Sequence, residues 1–314
     1  MAARLGVVMD PIDAIKPQKD STLALLLEAQ RRGYALYYLE PGDLALDNGT
    51  AVGRARPLSV RDEPRDWYRL DAAAPLALGE LDLILMREDP PVDAAYLAAT
   101  HILERAEAQG ARVVNRPAAL RDANEKLFAL RWPHLCPPSL VAADTGRLRG
   151  FIAEHGTAVL KPLDAMGGAS IFVLAEGDPN TTVALETLTG GGRHYAMAQR
   201  YLPEIAGGDK RVLVFDGEPY PHALARVPAQ GETRGNLAAG GRGEPAPVTA
   251  AERAACAELA PTLQAMGLRF AGLDFIGGYL TEINVTSPTC LREIDALFGG
   301  SAAAALFERL EASP

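Results

Sequence analysis

The sequence predicts an α/β N-terminal domain built on a parallel sheet, followed by an α+β half. Short apolar runs alternate with helical patterns through the first third. From about residue 116 the helices thin out and paired strands take over. The chain of 314 residues is long enough for two or three domains and a large core.

Four runs read as the strands of the first domain: LGVVMD (5–10), YALYYLE (34–40), LDLILMR (81–87) and ARVVN (111–115). Between the first two, KDSTLALLLEAQRRG has Asp20 or Ser21 to cap a helix and Gly33 to close it, with Leu23, Leu26, Leu27 and Gln30 on one face. Asp93 to Gly110 repeats the plan. Strands joined through helices favour parallel pairing. NRPAALRDANEKLFAL then gives a turn and a helix. AVLKPLDAMGGASIFVL (158–174) is a strand entering and a strand leaving a Gly-rich loop, and HYAMAQRYLPE (194–204) is a further strand. RVLVFDGEPYPHALARV (211–227) is a hairpin, since Asp216-Gly217 suits a type I′ turn. GETRGNLAAGGRGEP (231–245) is too rich in Gly for a packed element. A helix over 250–267 and the strand pair RFAGLDFIGGYLTEINV complete the pass.

Composition narrows the function classes. A net charge of −9 disfavours a general nucleic-acid binder, which needs a basic face to displace counterions. Three cysteines, Cys136, Cys256 and Cys290, without Cys-x-x-Cys spacing make neither a disulfide framework nor a zinc site. No secretory leader and no membrane-length apolar run are read, so a cytoplasmic protein is expected.

The candidate chemistry sits in the last strand pair. Glu282 and Asn284 share a face of their strand, and Asp274 lies on the strand before. Pairing Leu273 with Ile283 sets Asp274 opposite Glu282, a register that calls for the three-residue loop Gly277-Gly278-Tyr279; a two-residue turn would separate the acids. Two carboxylates and an amide without a basic neighbour on those strands suit Mg²⁺. The alternative is a solvated hairpin face with a hydrogen-bonded Asn. Lys161 before Met166-Gly167-Gly168 could meet phosphate, although a lone Lys before a Gly-rich turn is more often a surface lysine. Lys126, Arg211 and Arg226 taken singly read equally as surface charges. Neither a Walker A loop nor Gly-x-Gly-x-x-Gly occurs.

Taken together, LGVVMDPI, LDLILMREDPPVD, NRPAALRDANEKLFA, LKPLDAMGGASIF, MAQRYLP, GDKRVLVFDGEP, GLDFIGG and LTEINVTSPTC resemble the prokaryotic glutathione synthetases of the ATP-grasp superfamily, nearly end to end. The resemblance implies a Rossmann-like N-terminal domain (1–122), a central ATP-grasp lid domain (123–200) and a C-terminal ATP-grasp domain with the metal site (201–314). It implies ATP-dependent ligation of γ-glutamylcysteine and glycine through an acyl phosphate, with Mg²⁺ or its substitute Mn²⁺, in a homo-oligomer, dimer or tetramer; on charge and hydropathy neither nucleic acid nor membrane is expected as a partner. By that resemblance Lys126, Lys161, Gly167, Gly168, Gln199, Tyr201, Leu202 and Asp209 bind ATP, and Asp274, Glu282 and Asn284 bind the metal. Arg211 and Arg226 are catalytic, and Arg87 with Ser287, Pro288 and Thr289 contacts the peptide substrate. Arg234, Gly235, Asn236, Gly240 and Gly241 belong to a closing loop. Two residues depart from the family pattern. Ala165 stands where a Gly is expected, which would strain a positive φ, and Glu88 stands where a basic residue is expected. Rival readings are an ATP-grasp ligase for another carboxylate and amine, or a nucleotide-binding protein without catalysis.

Overall fold

The computed structural model describes residues 2–312. The four expected N-terminal strands form a parallel core, Ala35–Leu39, Arg4–Val8, Leu83–Met86 and Arg112–Val114 side by side. Helix Ser21–Arg31 is capped by Asp20, whose side chain accepts the Leu23 N–H at 2.6 Å. It buries Leu23, Leu25, Leu26 and Ala29, whereas Gln30 is exposed and hydrogen-bonds the backbone of Val60. Helix Ala94–Ala108 is capped in the same way by Asp93.

The sheet is mixed rather than purely parallel. Strand Thr50–Val60 adds to it antiparallel, pairing with Ala35–Leu39 and Leu44–Asp47 along one edge and with Tyr68–Leu70 and Ala74–Ala77 along the other. Residues 44–77 hide this in sequence because the alternation runs through Gly53, Arg54, Ala55, Arg56 and Pro57. Their inward positions are small, so no apolar stripe appears.

Two antiparallel sheets follow. Strands Ser139–Ala142, Thr157–Pro162, Phe172–Ala175 and Ala196–Arg200 form one, backed by helices Thr145–His155 and Thr181–Thr189. The other joins Asp209–Phe215, Glu218–Val227, Arg242–Pro247, Phe270–Ile276 and Tyr279–Asn284. The Asp216-Gly217 turn has both φ angles positive, +52° and +85°, as a type I′ turn requires. The Gly-rich interval is more ordered than its composition predicts, because Arg242–Pro247 pairs with the strand ending at Val227.

The cores divide unevenly. Apolar residues of the five-stranded sheet pack together with those of the N-terminal domain in two shared clusters: Leu273 and Ile283 join Val8 and Tyr96, and Phe215 and Phe270 join Leu5 and Leu306. The four-stranded sheet has a core of its own, built from Leu148, Phe151, Leu160, Leu174, Leu185 and their neighbours. One body therefore carries the first and last sheets. The middle sheet faces it across a cleft lined from both sides.

Candidate active site

The cleft floor is the last strand pair. Leu273 pairs with Ile283, Asp274 with Glu282 and Gly272 with Asn284, the register read from the apolar pattern. The turn differs from the expected one. Ile276 pairs directly with Tyr279 across the two-residue Gly277-Gly278 turn, and a bulge between Asp274 and Phe275 of the pairing absorbs Thr281 as the extra residue. The odd residue that the register demands thus sits in the strand, not in the loop. The bulge also turns Thr281 toward the cleft with Glu282 and Asn284; its hydroxyl donates to the Asp274 carbonyl at 3.1 Å.

Asp274 is not isolated from basic groups, as the two strands alone had implied. The bases come from the strands next to it. Arg211 donates from Nε and Nη2 to its two oxygens at 2.5 and 2.9 Å, and Arg226 Nη2 lies 2.9 Å from Oδ2. Together they hold the carboxyl down at about 2, against the cost of burial. Arg226 also donates to Asp209 at 2.6 Å. Burial pushes Asp209 up and Arg226 pulls it back, and its second oxygen, Oδ1, is buried without a partner. Two arginines and two aspartates form a neutral buried chain that ends in an orphaned acceptor facing the cleft. That acceptor suits a ligand hydroxyl such as a ribose offers.

Glu282 stands apart. Lys161 and Lys126 place their Nζ atoms 3.8 and 4.0 Å from Oε1, too far for a hydrogen bond, and the side chain keeps 20% of its exposure. Asn284 donates its Nδ2 to the Gly272 carbonyl and to Asp274, which leaves Oδ1 open. Among the described residues no trio of His, Cys, Asp and Glu is gathered for a metal. The set reaches three oxygens' worth of ligands only with the Asn284 amide. Glu282, Asn284 Oδ1 and the remaining lone pairs of Asp274 fit a hard divalent cation that shares phosphate oxygens.

The roof belongs to the middle sheet. Lys161 ends its strand there, and Lys126 reaches across to donate to the Ala165 carbonyl at 2.7 Å. Gly167 and Gly168 have φ of +63° and +83°, so the turn needs glycine at both. Ala165 is not among the residues of positive φ, so the departure from the family pattern carries no backbone strain. Gln199 is buried on the strand beside Val159 and donates to the Ser139 hydroxyl, while Tyr201 and Leu202 line the cleft where the chain crosses to the last sheet. The Gly-rich loop closes the rim. Arg234 Nη1 donates to the Gly168 carbonyl at 3.2 Å, and Asn236 sits so near Gly168 that a Cβ there would come within 2.8 Å of its Oδ1. Gly235 lies on the Arg226 carbonyl, where a side chain would clash. Gly240 and Gly241 shape the loop but do not line the cleft.

Ser287 and Thr289 face the cleft, and Pro288 uses its carbonyl to accept from Arg87 Nη2 at 2.9 Å. Arg87 itself is buried behind that turn, bonded to Thr22 and stacked over Phe270 with 5.4 Å to the ring centroid. It braces the turn and does not line the cleft, contrary to the expected substrate contact. Sequence reasoning missed Asp89, which lines the cleft and accepts from Ser287, and Glu125, whose side chain anchors residues 285 and 286.

Known proteins match this layout along its whole length. The family described as prokaryotic glutathione synthetase, N-terminal domain, matches residues 3–121, and the prokaryotic glutathione synthetase ATP-grasp domain matches residues 125–299. The chain belongs to the prokaryotic glutathione synthetase family. Family relatives include the glutathione synthetases of Vibrio cholerae, 53% identical over 98% of this chain and 97% of that protein, and of Citrobacter rodentium, 56% identical over 98% of each. Membership makes the chain a ligase of the ATP-grasp type. More distant solved structures share the fold alone. The D-cycloserine synthetase DcsG has a TM-score of 0.67 at 17% identity, covering 98% of both chains. The ATP-grasp ligase PsnB, complexed with a phosphomimetic variant of its minimal precursor, Mg and ADP, has a TM-score of 0.62 at 20% identity, covering 99% of both.

Proposed function

We propose that the protein joins the cysteinyl carboxylate of γ-glutamylcysteine to the amine of glycine at the expense of ATP, giving glutathione, ADP and phosphate. The observation that carries this is identity above 50% over nearly the whole length with glutathione synthetases, on a chain that keeps Asp274, Glu282 and Asn284 along one cleft floor. A carboxylate cannot expel oxide. Transfer of the γ-phosphoryl of ATP to it yields an acyl phosphate, and the neutral amine of glycine then displaces phosphate. In this reading Lys126, Lys161 and the backbone of Gly167 and Gly168 hold the phosphates, while Gln199, Tyr201 and Leu202 hold the adenine. Asp209 Oδ1 takes the ribose.

Asp274, Glu282 and Asn284 would hold Mg²⁺, with Mn²⁺ as a substitute, and the ion would neutralise phosphate charge when bound. Arg211 and Arg226 act through the field of their buried pairing, with no covalent protein nucleophile. Ser287, Pro288 and Thr289 shape the peptide end, braced from behind by Arg87. The loop of Arg234, Gly235, Asn236, Gly240 and Gly241 keeps water from the acyl phosphate. We place the enzyme in the cytoplasm as a homo-oligomer. Three buried free cysteines support a reducing compartment, and among the described residues no helix is long and apolar enough to cross a membrane. The test is mass-spectrometric detection of glutathione from MgATP, γ-glutamylcysteine and glycine. ADP release that requires some other dipeptide or amine would assign a different ligase.

A further inference from the structure

We propose that Glu125 holds the ammonium group of an amino-acid substrate in this cleft, a reading that rests on the ligase function above. Glu125 sits in the break between helix Pro117–Asp122 and the short turn of helix at Phe128–Arg131. Its Oε1 accepts three hydrogen bonds, from Val285 N–H at 2.9 Å, Thr286 N–H at 3.0 Å and the Thr286 hydroxyl at 2.8 Å. Its own carbonyl accepts from Ile283 N–H at 3.0 Å. The side chain is therefore locked by one oxygen. Among the described residues the other oxygen, Oε2, accepts no hydrogen bond and Glu125 makes no ion pair, although the side chain lines the cleft beside Ser287 and Asp89.

The cations of the cleft are committed elsewhere. Arg211 and Arg226 are spent on Asp274 and Asp209, Arg234 on Glu232, Lys126 on the Ala165 carbonyl, Lys161 faces Glu282, and Arg200 lies over the Tyr279 ring. A carboxylate fixed through one oxygen on a cleft wall presents the other, already oriented, to an incoming cationic group. Next to it lies a second unpaired group. The Tyr96 hydroxyl is buried without a partner outside the cleft lining, and burial above all, with the Glu125 charge next, raises its pKa and keeps the phenol protonated. A metal ion would need several oxygens at once, and no such cluster of acids is gathered among the described residues. A primary ammonium needs a carboxylate and a neutral partner, which is what Glu125 and Ser287 offer on the cleft wall. Both the γ-glutamyl end of the dipeptide and glycine carry such a group.

Glu125→Gln keeps Oε1 as acceptor of the three bonds and removes the charge, whereas Glu125→Ala removes both. For the Gln variant we expect wild-type thermal stability and an unchanged KM for MgATP. Its KM for one of the two amino-bearing substrates should rise about tenfold or more, the loss expected for a charged hydrogen-bond partner. A des-amino analogue, glutarylcysteine, separates the sources. If the γ-glutamyl ammonium is held, wild type discriminates against the analogue and the Gln variant does not. If glycine is held, only the glycine KM moves. Unchanged KM values for both substrates would overturn the assignment, as would a Gln variant that melts as early as the Ala variant with all KM values raised together. Should the wild type form no glutathione, the ligase reading fails by itself. Glu125 is then judged by thermal shift: γ-glutamylcysteine or glycine stabilising wild type but not the Gln variant supports the assignment, and equal shifts reject it.

Discussion

Asp274 and Glu282 sit opposite one another in the same strand pair and yet have different physical tasks. Asp274 is 2% exposed and bridges two buried arginines, so Asp274→Ala leaves Arg211 unpaired and Arg226 with Asp209 alone, and should cost about 3–5 kcal/mol, measured as a lowered denaturation midpoint. Glu282 balances only two lysines at long range. Glu282→Gln should melt within about 1 kcal/mol of wild type while turnover collapses and its magnesium requirement rises. A variant with normal magnesium dependence would remove Glu282 from the metal set. The Asp274 carboxyl is lowered from its usual 3.8 to about 2 in the fold, so its contribution to stability is present above the unfolded value and is lost as pH falls through about 2. Glu88 works in the opposite sense. Burial, with Asp10 and Asp93 nearby, raises it from 4.5 to about 7, so the fold is favoured by its neutral form below 4.5 and loses that advantage as pH rises through 7. The site is half-buried and solvent screens it, so the loss should be about 1–2 kcal/mol. Glu88→Lys, which restores the expected basic residue, should raise the melting temperature at pH 8 and flatten its decline between pH 5 and 8. An unchanged pH profile would show that the strain at Glu88 is relieved by some other route.

The Gly-rich loop works as an element because of two glycine contacts. Gly235 lies flat on the Arg226 carbonyl and Arg234 bonds the Gly168 carbonyl, so the loop touches the last sheet and the roof at once. Gly235→Ala should lift it from the sheet. The expected outcome is a higher ratio of ADP released to glutathione formed, because water then reaches the acyl phosphate; an equal ratio in the two proteins would deny the loop its protective role. The same scale explains which parts could be read in advance. The register of the last strands was legible because Leu273, Phe275, Ile283 and Val285 leave one apolar face to match. The bulge was not, since either a three-residue loop or a two-residue loop plus one strand residue satisfies that match, and only twist and neighbours decide between them. Arg242–Pro247 escaped notice because RGEPAP has no apolar pattern and owes its strand to backbone pairing with residues 222–227. Glu125 was invisible for a different reason: its three donors lie 160 and 161 residues away.

At the scale of the molecule, the separate core of the middle sheet decides how the cleft responds to ligand. The first and last sheets share their apolar clusters, while Leu148, Leu160, Leu185 and their neighbours pack among themselves. The roof is therefore joined to the body through a few polar links, such as Lys126 to the Ala165 carbonyl, Asn124 to the Leu163 carbonyl and Arg200 over Tyr279, rather than through continuous packing. Such a body can open at low cost, and a nucleotide bridging roof and floor would couple its melting to that of the rest. MgATP at about one hundred times its dissociation constant should stabilise the folded protein by about 2.7 kcal/mol. In its absence, hydrogen exchange should find the amides of Thr157–Pro162 and Ala196–Arg200 less protected than those of Phe270–Ile276, which lie in the shared core. Adding MgATP should narrow that gap in wild type and not in Glu282→Gln. Equal protection of the two sheets without nucleotide would mean that the middle sheet is held to the body more strongly than its separate core implies, and closure would then have to come from the Gly-rich loops alone.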